Sequence, residues 1–167
     1  GQGYMLATPL QLAQATAAIA ARGQRFQPSM VKATRDPVTG KLTSRAPQKL
    51  AAIKLTDSAH WAQVIASMRG VIYDANGTAQ ALSKDALWPI AGKSGTAQVF
   101  TVAQNTTYDE MELAERMRDH ALFIAFAPIE RPQIAIAVIV ENGTSGSAVA
   151  GPVARQVIDA YLGSPTS

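Results

Sequence analysis

Two apolar runs near the end of the chain constrain its architecture more than any other feature. Residues 121–127 read Ala-Leu-Phe-Ile-Ala-Phe-Ala, and residues 133–141 alternate Ile134, Ile136, Val138 and Val140 with Ala135, Ala137 and Ile139. Only Pro128-Ile129-Glu130-Arg131-Pro132 separates them. Short runs rich in β-branched and aromatic residues, bounded by proline, are strands. A link this short cannot carry a crossover connection, so the pair is an antiparallel hairpin. The second run is apolar at odd and even positions alike, which requires cover on both faces of the sheet.

Three helical patterns can supply that cover. Thr8-Pro9-Leu10-Gln11 combines a Thr N-cap, Pro in the first turn and Gln where it completes a capping box. The helix it opens carries Leu12, Ala15, Ile19 and Ala20 as a narrow stripe and closes at Gly23. Residues 57–73 form a second helix behind a Thr56/Asp57 cap, with Trp61, Val64, Ile65, Met68 and Ile72 at helical spacing. A third has two rows, Val153, Val157 and Tyr161 beside Ala154, Ile158 and Leu162, and ends at Gly163. This last helix is expected to lie across the sheet.

Residues 24–55 are broken by Pro28, Pro37, Gly40 and Pro47 into short extended pieces, with a turn over 36–41. A third strand is expected over 90–101, after the glycines of Ala91-Gly92-Lys93-Ser94-Gly95-Thr96-Ala97-Gln98. The segment 102–119 is too long for a hairpin turn, and 108–118 within it has the pattern of a small amphipathic helix standing out from the body. The fold class is therefore α+β, with three antiparallel strands and the C-terminal helix packed across them.

With 167 residues, 47% of them hydrophobic and 16% charged, the chain can bury one core and is read as one globular unit. Its net charge of +3 is spread along the chain and forms no basic stripe, which argues against nucleic acid as a partner. The absence of cysteine removes thiolate nucleophiles, disulfides and cysteine-zinc sites together. No apolar stretch approaches the roughly 20 residues of a membrane-spanning helix. The chain opens Gly1-Gln2-Gly3-Tyr4 rather than with Met and a targeting region, so it reads as a piece of a longer polypeptide.

Several candidate sites fail on context. Gly92-Lys93-Ser94 resembles the end of a phosphate loop, but Leu87 stands where the first glycine belongs, and a strand pattern follows where that motif needs a helix. Ser29 and Lys32 have the Ser-x-x-Lys spacing of an activated serine, yet Pro28 and Val31 put them in an extended setting. His60 and His120 have no companions at metal-ligand spacing, so no metal site is expected. His60 reads as an exposed helical residue and His120 as a structural hydrogen-bonding one. Asp109, Glu110, Glu112 and Glu115 share their segment with Arg116 and Arg118, and Glu112 and Arg116 have the spacing of a surface ion pair.

Lys93-Ser94-Gly95-Thr96 remains. On a strand bordering a cleft, Ser94 and Thr96 point to one side, and Gly95 leaves nothing to obstruct a ligand lying along the backbone. A lysine beside two hydroxyls suits a carboxylate, and the Thr96 N–H can help hold an oxyanion. Gly-Thr-Ala-Gln occurs twice, at 77–80 and 95–98, and only the second copy follows Lys-Ser. The first copy, just after a helix, reads as a local chain reversal.

Lys93-Ser94-Gly95-Thr96 resembles the Lys-Ser/Thr-Gly motif of penicillin-binding proteins and serine β-lactamases. Gly1-Gln2-Gly3-Tyr4-Met5, Thr8-Pro9-Leu10-Gln11-Leu12-Ala13, the segment 91–100, Arg116-Met117-Arg118-Asp119-His120, Phe126-Ala127-Pro128 and Glu141-Asn142-Gly143 follow in the order of the class B penicillin-binding proteins. The likeness is to their elongation-type transpeptidases and covers essentially residues 1–167. It implies the C-terminal portion of a single transpeptidase domain with the serine β-lactamase/transpeptidase fold. In that family the Ser-x-x-Lys nucleophile and a Ser-x-Asn motif both precede the Gly-Gln-Gly-Tyr segment, so both are expected outside this chain.

By the same resemblance, Lys93 and Thr96 are catalytic, and Lys93, Ser94, Gly95, Thr96 and Gln98 bind substrate. The implied activity is cross-linking of peptidoglycan stem peptides, with β-lactams trapped as acyl-enzymes and no cofactor. Implied partners are stem peptides, β-lactams, the N-terminal half of the same domain and membrane proteins of the elongation complex. The implied location is the periplasmic face of the inner membrane, with an anchor in a preceding segment. A D,D-carboxypeptidase or β-lactamase and a β-lactam sensor domain are the alternatives; the opening segment and the long 102–119 insertion favour the transpeptidase. Cut from its other half, the piece is expected to expose apolar faces of its first two helices.

Overall fold

The computed structural model describes residues 5–84, 86–99 and 115–163. Helix α1 (Pro9–Ala20) begins as its cap predicts: the Gln11 N–H donates to Thr8 Oγ1 at 3.2 Å, and the Thr8 N–H donates to Gln11 Oε1 at 2.8 Å. It ends before Gly23, whose φ is +96° and where a Cβ would lie 2.9 Å from the Trp61 ring. The stripe differs from expectation. Thr16, Ala18 and Ala20 are buried, Leu12 and Ile19 are half-buried, and Ala15 is exposed. Small side chains let the helix sit close to the sheet, and Thr16 is buried without cost in unpaired groups because its hydroxyl donates to Leu12 O at 2.7 Å.

Residues 24–57 fold into two small antiparallel ladders. Strands β1 (Arg25–Phe26) and β4 (Lys49–Leu50) pair, and between them β2 (Ala33–Arg35) pairs with β3 (Leu42–Ser44). The predicted turn over 36–41 closes β2 and β3. Asp36 Oδ1 accepts the N–H groups of Val38 and Thr39 at 2.9 and 2.7 Å, and Gly40 takes a φ of +70°.

Helix α2 (Ala59–Tyr73) has Ser58 at its N-cap position, and the Asp57 carboxylate just before it accepts the Ala59 N–H at 2.8 Å. Ile65, Met68 and Ile72 are buried, whereas Val64 faces solvent. The main sheet has the order β5-β6-β7, all antiparallel: β5 (Ala91–Ala97), β6 (His120–Ala127) and β7 (Ile134–Val140). Strand β5 stops at Ala97, short of the predicted end; Gln98 and Val99 lie beyond it and are exposed. The helix expected at 108–118 falls mostly outside the described residues, with a single 3-10 turn at Glu115–Met117.

The register sorts side chains onto two faces. Ala91, Phe126 and Ala135 share one face, where Ala20 of α1 and Ile65 and Met68 of α2 pack. Ala121, Phe123 and Ala125 lie on the other with Ile136, Val138 and Val140, under Ala154 and Ile158 of helix α3 (Gly151–Leu162). Cover on both faces is thus met. Helix α2 turns Ile65, Met68 and Ile72 inward, while Leu10 of α1 and Val64 of α2 stay exposed, so the expected exposure of these two helices is present only in part. A longer open apolar row is on α3: Val153, Val157 and Tyr161 face solvent while Ala154 and Ile158 are buried. One helix cannot turn both of its rows onto one sheet face.

Candidate active site

Strand β5 is an edge strand, and among the described residues no strand pairs with its outer side. Its unpaired backbone groups are available to an extended peptide. Ser94 pairs with Phe123 and Thr96 with Ala121, which puts both hydroxyl side chains on the α3 side of the sheet; Lys93, Gly95 and Ala97 point to the other. The alternation expected for Ser94 and Thr96 is therefore present. Gln98 lies past the strand end, so the pleat does not fix it on the face of Thr96.

Lys93 is exposed, and its ammonium folds back along its own strand. Nζ donates to Ser94 O at 2.7 Å and stands 3.5 Å from Ser94 Oγ. The positive charge thus sits beside the hydroxyl that would meet an anion. Gly95 is open on its own side, where a Cβ would meet only Leu122 Cβ at 3.4 Å, an ordinary contact. On the opposite side its backbone is covered by Gly146. A Cβ on Gly146 would come within 2.5 Å of Gly95 O and 3.0 Å of Gly95 N, so only glycine allows that approach. Gly146 opens a π-helical turn, Gly146–Ala150, that leads into α3, so it is the turn before the C-terminal helix that backs the motif strand.

A residue that sequence reasoning assigned only to a chain reversal also enters the site. Thr78, in the first Gly-Thr-Ala-Gln copy, brings its hydroxyl to 3.2 Å from Ser94 Oγ. Ser67, Gly70, Asp74, Asn76, Thr78 and Lys93 line a shallow cavity of about 240 Å³ between the end of α2 and β5. The repeated tetrapeptide was the available signal, but nothing in one sequence says that its copies meet.

The other candidates stay apart from the motif. Ser29 and Lys32 lie in irregular backbone, where the Ser29 hydroxyl bonds to Val31 rather than to a lysine one helical turn away. His60 is exposed on the first turn of α2. His120 Nδ1 accepts the Asn142 N–H at 2.9 Å, and Asn142 Nδ2 donates to Arg118 O at 2.9 Å, tying the start of β6 to the turn after β7. Asn142 holds that turn with a φ of +58°. The acidic group at 109–112 lies outside the described residues, and no helix among the described residues is long and apolar enough to cross a membrane.

Comparison with known proteins identifies the family. Residues 1–159 match the penicillin binding protein transpeptidase domain. The chain is 40% identical over 162 residues to the peptidoglycan D,D-transpeptidase MrdA of Haemophilus influenzae, covering 97% of this chain and 25% of that protein. The crystal structure of Pseudomonas aeruginosa PBP2 in complex with WCK 5153 superposes with a TM-score of 0.75 at 43% identity, over 97% of this chain and 32% of that one. PBP2 of Helicobacter pylori, solved in complex with MreC, superposes at 0.63 with 28% identity, over 97% and 26% of the two chains. This chain therefore spans about a quarter of the length of its curated relative. The match over residues 1–159 and these likenesses place the chain in the penicillin-binding protein transpeptidase domain family.

Proposed function

We propose that this chain is the C-terminal portion of a transpeptidase domain that cross-links peptidoglycan during cell elongation and is acylated by β-lactams, with its nucleophilic serine outside residues 1–167. The observation that carries this reading is the placement of Lys93-Ser94-Gly95-Thr96 on a sheet edge that no strand among the described residues pairs with, with Lys93 Nζ beside the Ser94 hydroxyl. The D-Ala-D-Ala end of a stem peptide lies along that edge. Its terminal carboxylate takes hydrogen bonds from Ser94 and Thr96 in the field of Lys93. Gly95 leaves room for the peptide backbone, and Gln98 supports it further along.

The serine attacks the penultimate D-alanine carbonyl, and negative charge develops on that carbonyl oxygen. The Thr96 N–H, on an edge strand where alternate N–H groups point outward, stabilises that charge. Terminal D-alanine leaves with a proton, and an amine of a neighbouring stem then takes the acyl group. Lys93 and Thr96 are the catalytic residues this chain supplies, and no cofactor enters. The preceding segment of the domain, stem peptides and elongation-complex membrane proteins are the partners; the complex of the Helicobacter pylori relative with MreC supports the last of these. The site faces the periplasm, and an N-terminal segment outside this chain anchors it to the inner membrane.

Product analysis tests the reading. Full-length protein given a stem pentapeptide and an amine acceptor should release D-alanine and join the acyl group to the amine, and Lys93→Ala should abolish both. Release of D-alanine with hydrolysed peptide alone would assign a carboxypeptidase. Stable acylation by penicillin without turnover of any peptide would assign a sensor.

A further inference from the structure

The first Gly-Thr-Ala-Gln copy is held as firmly as the second. A Cβ on Gly77 would come within 2.5 Å of Val71 O and 2.6 Å of Gly70 O, so the backbone there rests on the last carbonyls of α2. The Gly77 N–H donates to Asp74 O at 2.9 Å, and the Ala79 N–H donates to Val71 O at 2.9 Å, with the Ala79 methyl in the core. Gln80 Nε2 donates to Asp74 O at 2.6 Å. Beyond it, Arg155 of α3 donates to Leu82 O at 3.3 Å and to Lys84 O. Thr78 is the residue between these anchors, and it is exposed, with its hydroxyl on Ser94 Oγ. A threonine presented this rigidly toward a motif hydroxyl goes beyond what a chain reversal requires.

We infer that Thr78 is a positioning residue for the substrate carboxylate: it donates its hydroxyl proton to Ser94 Oγ and so leaves the single Ser94 proton for the anion. The inference rests on the functional reading above and deepens it. A serine hydroxyl has one proton and two lone pairs. Lys93 Nζ, at 3.5 Å, can only donate to it, and Thr78, at 3.2 Å, can donate or accept. With a carboxylate bound, the arrangement that satisfies every group has both neighbours donating to Ser94 Oγ and Ser94 donating to the carboxylate. Without Thr78 the Ser94 rotor loses the partner that sets its direction. Thr78 acts through Ser94 and does not touch the reacting atoms.

Acylation kinetics on the full-length protein test this, with benzylpenicillin and its methyl ester, which lacks the anion. Thr78→Val should lower the acylation rate constant per unit concentration of benzylpenicillin by about tenfold, mostly through weaker binding before the chemical step. Thr78→Ser should restore it to within about twofold, and the ester should react equally with wild type and Thr78→Val. Adding Thr78→Val to Ser94→Ala should cost nothing further. An equal loss for acid and ester, or a loss that persists in the Ser94→Ala background, would make Thr78 merely structural and overturn the inference. If Thr78→Val is too unstable to assay, a Thr78→Ser variant that is folded by circular dichroism yet reacts about tenfold more slowly than wild type would likewise overturn it. Wild-type rates for Thr78→Val alongside an inert Lys93→Ala would overturn the inference and leave the functional reading standing. A wild-type protein that penicillin does not acylate would instead sink the functional reading and the inference with it.

Discussion

The two Gly-Thr-Ala-Gln segments share four residues and both lie next to Ser94, one by a hydrogen bond and one by sequence, yet each position is used differently. Gly77 is packed on the carbonyls of α2 and tolerates no side chain, whereas Gly95 is open where a ligand would lie. The Thr78 hydroxyl meets Ser94 Oγ; Thr96 stands two residues after Ser94 on the same face of β5. Ala79 is 3% exposed, but Ala97 is only half-buried. Gln80 is bound to Asp74 O, and Gln98 is free of the sheet and exposed. In the first copy Gly77, Ala79 and Gln80 fix a loop that presents Thr78 to Ser94, and the second leaves its chemistry available. What a short motif does follows from the backbone it sits on: a helix end with carbonyls to satisfy in one case, a free sheet edge in the other.

Substitutions at matched positions can break this contrast. The largest effect is expected at the residue without a counterpart: Lys93→Ala should slow penicillin acylation of the full-length protein by a factor on the order of 100 or more while leaving its thermal unfolding unchanged. Equal activity would remove the anion-binding role of the second copy. The glycines come next. Gly77→Ala should destabilise by about 3 kcal/mol in denaturant titration, because the methyl collides with backbone rather than with a movable side chain. Gly95→Ala should shift stability by no more than about 0.5 kcal/mol yet reduce acylation, since its methyl meets ordinary contact distance inside the fold but occupies the ligand's path. If Gly95→Ala proves as destabilising as Gly77→Ala, the second copy is structural as well.

The glutamines should differ least. Gln80→Ala loses the amide bond to Asp74 O and should cost about 1 kcal/mol of stability. Gln98→Ala should leave stability unchanged and raise the KM for a stem-peptide substrate with little change in kcat. A Gln98→Ala change confined to stability would contradict the proposed contact with the peptide.

Much of the frame was legible because it is encoded locally. The Thr8/Gln11 box, the proline-bounded hairpin of β6 and β7 and the terminator Gly163, with a φ of +69°, each depend on residues a few positions apart. Lys93-Ser94-Gly95-Thr96 could be read for the same reason, since alternation along one strand sets which side chains point together. The misreadings have a common cause. Small residues leave almost no amphipathic signal, so the expected stripe of Leu12, Ala15, Ile19 and Ala20 includes Ala20 rightly but takes in the exposed Ala15 and omits the buried Thr16 and Ala18. Both rows of α3 are apolar, and only the sheet decides that Ile158 goes in while Val157 stays out. The bond from Thr78 to Ser94 and the seat of Gly146 on Gly95 join separate elements, so they exist only once α2 and the turn before α3 have docked on β5. Packing of that kind leaves no periodicity to read.

The most direct measurement of the central claim is covalent labelling with a fluorescent penicillin, followed by mass spectrometry of the labelled peptide. It should be run on residues 1–167 alone and on the same chain joined to the preceding segment of its domain, each with and without Lys93→Ala. The expected result is no label on residues 1–167 alone, and a label on the longer protein that maps to a serine in the preceding segment and disappears with Lys93→Ala. A penicilloyl adduct on residues 1–167 alone, at Ser29 or any other serine of this chain, would contradict the assignment of these residues as the anion-binding wall of a site whose nucleophile lies elsewhere.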